Sequence, residues 1–259
     1  MKFTYFCFTV LLAGACCSHA AGEALLSANF DDTICAESRD GEGEALITAG
    51  LTVDCKDGSG GSLLVTSGMV ETENGTELFY SPVIYKAQDN FSGKAGIMEF
   101  SIKIKAFPSD NRDFLLPIAG VTDWEILSGA EWALEHADEY AFCALERKNG
   151  KIRLMFSEYR GRVKHDLTGF ASPEHQKFTI AAPVEIKAGE WYKIQLLWQN
   201  NGKVRKLFLN DKLIAEGNCT FADTTLVPHA LQIAVGGIIR RQQPAFTYII
   251  DYFKMIELK

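Results

Sequence analysis

The chain has 259 residues, of which 23% are charged and 47% apolar, and its formal net charge is -7. That balance offers phosphate no net attraction, which argues against nucleic acid and anionic membrane surfaces as partners. The chain beyond residue 20 is long enough to bury its own core without a metal or many disulfides.

Residues 1–20 read as an export signal. Lys2 precedes an apolar run from Phe3 to Gly14, and the small residues around Ser18-His19-Ala20 resemble a cleavage site. The run falls short of the roughly 20 apolar residues of a membrane-spanning helix, and no later segment is long and apolar enough to be a transmembrane span. A second reading stands beside the first. Ala13-Gly14-Ala15-Cys16 loosely resembles a lipobox, which would leave a lipid tether at Cys16, although the usual leucine three residues before the cysteine is absent. Either reading places the mature chain, from Ala21 to Lys259, outside the cytoplasm: secreted, periplasmic or at the cell surface.

Strand signals then recur in chain order, at Leu26–Phe30, Ala45–Thr48, Leu51–Asp54, Ser62–Thr66 and Leu78–Tyr85. They continue at Gly96–Ala106, Phe114–Val121, Tyr140–Glu146, Ile152–Tyr159 and Lys177–Ile180, and close with Trp191–Gln199, Val204–Asn210, Lys212–Ala215, Leu231–Val235 and Phe246–Glu257. The stretch Ala130–Glu139 reads as a loop or single turn between two strands. From Gly189 to Gly217 the pattern is clearest. Tyr192, Ile194, Leu196 and Trp198 alternate with Trp191, Lys193, Gln195 and Leu197, so one row is expected inside and the other largely wet. Asn200-Asn201-Gly202 and Asn210-Asp211 are tight turns, since Asn, Asp and Gly tolerate positive φ. Many short strands separated by such turns give a sandwich or a barrel, in one domain over residues 21–259.

Cys7, Cys16 and Cys17 lie in the leader; Cys35, Cys55, Cys143 and Cys219 enter an oxidising compartment. Cys35 and Cys55 bracket a loop and a short strand pair and are the expected disulfide. Cys143, inside the apolar run AFCAL, reads as a buried small hydrophobe. No Cys-x-x-Cys or His-x-x-x-His spacing supports a structural zinc. Asn74, Asn90 and Asn218 stand in Asn-x-Ser/Thr sequons, which matter only in a eukaryotic secretory pathway.

Three segments carry a family resemblance: Phe91 to Ile104; Gly189 to Trp198 running into Lys206 to Ala215; and Leu231 to Gly237 followed by Tyr248 to Glu257. Together they resemble the concanavalin A-like lectin/glucanase superfamily, in particular its laminin G-like branch. The resemblance implies an all-β, two-sheet antiparallel jelly-roll sandwich. It also implies that Trp191 and Trp198 are structural and sit in the core, and it marks Lys212 as unusual where the family often has glycine. Many relatives hold a structural calcium where the first and last strands meet; Asn29, Asp31, Asp32 and Asp251 are oxygen donors suitably placed for one.

Chemistry is harder to find. A retaining glucanase needs two carboxyls about 5 Å apart, and the family's Glu-x-Asp-x-x-Glu strand is missing; Glu131 and Glu135 bracket Trp132 without it. A lyase would pair a Tyr or His base with an Arg that neutralises a uronate. Arg153, Tyr159, Arg160 and His165 supply those types, with Arg153, Ser157 and Tyr159 on the face opposite Ile152, Leu154 and Phe156. The strand motifs of alginate lyases are absent, and Gln232-Ile233 runs into Ala234 rather than histidine. Trp124 and Trp132 are candidate stacking platforms for sugar rings on loops. The reading that results is an exported, non-catalytic carbohydrate-binding or surface-interaction module. Its partner is a glycan or polysaccharide, with Trp124, Trp132, Arg153, Tyr159 and Arg160 as ligand contacts. A polysaccharide-degrading enzyme and a structural envelope or adhesion protein are the alternatives.

Overall fold

A computed structural model describes residues 22–45, 50–52, 56, 60–72, 75–80, 83–108, 112–122, 139–160, 176–226, 228, 230–233 and 246–259. Among them every regular element is a strand. In chain order these are β1 (Glu23–Ala28), β2 (Glu37–Ser38), β3 (Gly50–Thr52), β4 (Ser62–Thr72), β5 (Gly75–Tyr80), β6 (Val83–Lys86), β7 (Gly96–Ile104) and β8 (Phe114–Thr122). They continue with β9 (Glu139–Lys148), β10 (Lys151–Arg160), β11 (Gln176–Pro183), β12 (Trp191–Gln199), β13 (Val204–Leu209), β14 (Lys212–Asn218), β15 (Ala230–Ile233) and β16 (Phe246–Glu257).

The strands form two antiparallel sheets. The larger has ten strands in the order β14-β13-β12-β7-β16-β1-β2, with β4 also on β16 and carrying β3 and β5. The smaller has six, in the order β11-β10-β9-β8-β15-β6. Neighbours in the sheet are often far apart in sequence, as a jelly roll requires. Strand β16 is central: β7 pairs along one edge, while the other edge passes from β4 to β1 at a bulge between Ile250 and Phe253.

The turns behave as their residues dictate. Asn200, Asn201, Asn210 and Asp211 all have positive φ (56°, 54°, 49° and 63°). The left-handed pair before β14 is thus Asn210-Asp211, so Lys212 simply begins the strand and the missing glycine costs nothing. The hairpin joining β9 to β10 uses Asn149-Gly150 in the same way, with φ of 53° and 76°. Some boundaries differ from the sequence reading. The run Leu78–Tyr85 divides into β5 in one sheet and β6 in the other, with Pro82 between them, a residue unable to donate to a ladder. Likewise β8 shifts register between Pro117 and Ala119. Residues 46–49 and 53–55, which cover most of Ala45–Thr48 and the end of Leu51–Asp54, lie outside the described residues.

The row Tyr192, Ile194, Leu196 and Trp198 does face the core, at 7, 0, 3 and 1% exposure. Trp198 stacks on Phe91 at 5.0 Å and donates its indole N–H to the Ser92 carbonyl at 2.7 Å. Trp191 corrects the resemblance: it is half-buried on the opposite face, with the Lys103 ammonium 4.8 Å from its ring. Cys143 is fully buried, and burial holds its thiol well above the ordinary range. The interior is tightly filled. A cavity of about 10 Å³ lies between the sheets, lined wholly by apolar groups such as Met98, Phe156 and Trp198, room for about one water-sized sphere.

Candidate functional site

The six-stranded sheet turns alternate residues away from the core. On β10 these are Lys151, Arg153, Met155, Ser157 and Tyr159, since Leu154 and Phe156 join the core cluster. Cross-strand register then builds transverse rows. Ser157 lies opposite Thr179 on one side and Phe142 on the other; Phe142 lies opposite Gly120, and Gly120 opposite Gln232. Only glycine fits at 120, because a Cβ would run into the Ala141 carbonyl.

This face is aromatic and polar together. Tyr159 stacks on Phe142 with centroids 6.0 Å apart and planes 7° from parallel, and the Lys177 ammonium sits 5.0 Å from the Tyr159 ring. Ser157 and Thr179 share a 2.9 Å hydrogen bond. Gln232 is 1% exposed, and its Oε1 has no hydrogen-bond partner among the described residues. Arg153 forms an ion pair with Glu146, and their side chains are 40% and 21% exposed. Glu146 is the one carboxylate among the described outward side chains of these strands. The centre of the face is closed to solvent, with Phe142, Met155, Ser157 and Tyr159 at 1, 4, 0 and 5% exposure. The margin is open: Lys148, Lys151, Lys177 and Thr179 are exposed.

The residues picked out from sequence divide accordingly. Arg153 and Tyr159 share this face, as their spacing requires. Arg160 does not join them. It donates to Glu158 Oε1 from Nε at 3.1 Å and from Nη2 at 2.9 Å, and Nη2 also donates to the Thr225 carbonyl at 3.0 Å. Glu158 in turn accepts from Arg205, so Arg160 caps an internal ion cluster rather than a ligand face. Trp124, Trp132 and His165 lie outside the described residues, as do Glu131 and Glu135. Topology nonetheless says where their segments start: β8 ends at Thr122, β9 begins at Glu139 and β10 ends at Arg160, all at the same end of the sheet. Sequence reading passes over Phe142, Thr179 and Lys177, although alternation along β9 and β11 already sends them outward.

Two of the proposed calcium donors, Asp31 and Asp251, bond to adjacent residues, Gly61 and Ser62. Asp31 Oδ1 accepts from the Gly61 amide at 3.3 Å, and Asp251 Oδ1 from the Lys56 amide and the Ser62 hydroxyl, each at 3.0 Å. Asp251 does so at the bulge where β16 leaves β4. Oxygen donors suit calcium in kind, and carboxylates, backbone carbonyls and waters together make up the 6–8 ligands it takes. Among the described residues no cluster of three or more His, Cys, Asp or Glu is placed to hold a metal. Cys35 is a free, exposed thiol, and Cys55 lies outside the described residues. Asn90 is fully buried; its amide donates to the Glu42 and Lys86 carbonyls at 2.8 and 3.0 Å and accepts from Ser38 at 2.6 Å. That sequon is therefore closed to a glycan in the folded protein.

The fold has known counterparts. One is the GH16 of the Bacteroides ovatus mixed linkage glucan PUL, solved with G4G4G3G product: TM-score 0.50 at 14% identity, over 77% of this chain and 83% of that one. The botulinum neurotoxin serotype C1 binding domain gives 0.53 at 13% identity, over 91% and 49%. A botulinum neurotoxin type C structure, whose cell entry depends on two ganglioside molecules, gives 0.55 at 12%, over 92% and 49%. The chain spans about half the length of those toxin chains. No protein-family model matches the chain, and no curated protein sequence does. At such identities the likeness is one of fold: a concanavalin A-like jelly-roll sandwich, with nothing that singles out the laminin G-like branch. Among the described residues no helix is long and apolar enough to cross a membrane.

Proposed function

We propose that the chain is an exported, non-catalytic module that binds a glycan along the β10–β11 margin of its six-stranded sheet. The observation that carries this reading is the composition of that face. Its open margin offers cations and the Thr179 hydroxyl beside a closed aromatic centre, with a single described carboxylate, Glu146, already paired with Arg153. Such a face can recognise a sugar and lacks the two carboxyls that divide the acid and nucleophile roles. Lys148, Lys151, Arg153 and Lys177 outnumber Glu146 there, so acidic sugars suit it best, against an overall charge of -7. Structural neighbours that bind gangliosides or hold a glucan product are consistent with a glycan partner.

Affinity electrophoresis tests the proposal. Retardation in gels containing polygalacturonate or alginate, lost in the double variant Arg153→Ala/Lys177→Ala, supports it. Migration unchanged by any acidic or neutral polysaccharide overturns it. The rival reading, a hydrolase, is kept in view by the GH16 neighbour. Release of reducing ends from a polysaccharide panel would favour it.

A further inference from the structure

We propose that the outer face of the ten-stranded sheet carries a second binding platform, for a neutral oligosaccharide, built on the rings of Trp191 and Tyr252. Alternation sends Trp191, Lys193 and Gln195 of β12, and Glu99, Ser101 and Lys103 of β7, to this face. The bulge in β16 adds Tyr252. Both rings are half-buried, so each is held in place and still reaches solvent. They sit on the two strands flanking β7, about 10 Å apart across the strands and offset by two residues, roughly 7 Å, along them, hence roughly 12 Å apart. That is the reach of a short oligosaccharide laid obliquely across the strands.

The floor between the rings is polar and pre-positioned. Glu99 accepts from the Gln195 amide at 2.6 Å and pairs with Lys193 at 3.2 Å, and the Tyr252 hydroxyl hydrogen-bonds to the same carboxylate. Lys193 also reaches Asp211 at 2.9 Å. Ser101, across the ladder from Lys193, is fully buried, so its Oγ, which has no partner among the described residues, lies out of a surface ligand's reach.

Charge decides the ligand class. Lys103, Lys193 and Lys254 face Glu99, Asp211 and Asp251, so the surface is balanced and exerts no net pull on an anion. What remains is stacking of a pyranose C–H face on the rings, with directed hydrogen bonds from fixed side chains. The Lys103 and Lys254 ammoniums lie over the Trp191 and Tyr252 rings, 4.8 and 5.1 Å from the centroids, so each covers part of one ring face and can donate to a sugar hydroxyl beside it.

Titration calorimetry of the full chain with cellotetraose and with maltotetraose is the test. At least one binds, with an affinity that changes less than about twofold between low and high salt. Trp191→Ala and Tyr252→Ala each weaken it by about tenfold or more, while Tyr252→Phe, which keeps the ring, stays within about threefold of wild type. Melting curves of the same variants separate a lost ring from a lost fold. Arg153→Ala leaves this titration unchanged, which distinguishes the platform from the site on the other sheet. Binding of neither tetraose overturns the platform. So does undiminished binding in Trp191→Ala, or binding lost in Arg153→Ala.

Discussion

The ion cluster inside the sandwich offers the sharpest test of how the sheets are joined. Glu158 of β10 and Arg205 of β13 point inward from opposite sheets, with side chains 1% and 0% exposed. Arg205 donates to Glu158 Oε2 from Nε at 3.3 Å and from Nη2 at 2.9 Å, and Nη2 also donates to the Thr224 carbonyl at 3.2 Å. Arg160 takes the other carboxylate oxygen. Glu158→Gln keeps the shape but removes the one charge both guanidiniums share, and Arg205 Nη1 already lacks a partner. Two charge-assisted bonds at about 1.5–3 kcal/mol each agree with the roughly 3–5 kcal/mol lost when one side of a buried pair is removed. At about 2–4 °C per kcal/mol for a domain of this size, melting falls by roughly 6–20 °C. Urea denaturation reads the free energy directly. The triple variant Glu158→Leu/Arg160→Met/Arg205→Met removes all three charges and is expected within about 2 kcal/mol of wild type, because apolar replacement of a whole buried ion cluster is often neutral. A Glu158→Gln loss under about 1 kcal/mol, or a triple variant as unstable as the single one, refutes the reasoning.

Single environments carry further consequences. Arg153→Ala should leave stability within about 1 kcal/mol, since its ion pair is partly exposed, while weakening retention on acidic polysaccharide; a large stability loss would mean the residue is structural. Burial raises the Cys143 thiol, and burial first, with the Glu158 charge adding to it, raises Cys219. Their thiolate fractions therefore stay small up to alkaline pH and grow only as pH climbs through those raised values. Thiol labelling at mildly alkaline pH should spare both until the protein is unfolded, as peptide mapping would show. Expression in a glycosylating host should leave Asn90 bare, with Asn218, which is exposed, available for modification; a glycan on Asn90 of folded protein contradicts its burial. If calcium binds beside Asp31 and Asp251, adding it raises the melting temperature and Asp251→Asn removes the increase.

The fold is legible because its determinants run along the chain. Apolar alternation in Trp191–Gln199 names the buried row, and Asn210-Asp211 names the turn, from neighbours in sequence alone. Trp191 shows the limit of resemblance against alternation: the period of two sends it to the wet face, whereas the family comparison puts it in the core. The ion cluster has a signal too. Glu158 continues the inward row of Leu154 and Phe156, and Arg205 precedes inward Leu207, so opposite charges on two apolar rows announce a buried pair. Arg160 misleads when grouped with the basic residues near it in sequence, because its partner lies two residues back on the strand.

Recognition, by contrast, depends on rows that run across strands. Gln232, Gly120, Phe142, Ser157 and Thr179 belong to five strands spread over 113 residues and become neighbours only through register. Local pattern does not encode register at that range. The outer faces of the two sheets carry their own chemistry. There the two sheets differ in a way that single strands do not reveal: one margin gathers cations around a lone carboxylate, while the other face balances its charges beneath two rings. A salt-sensitive ligand on the first and a salt-insensitive one on the second is the pattern those two surfaces require. Two ligands with the same salt response would mean that charge does not govern recognition on either face.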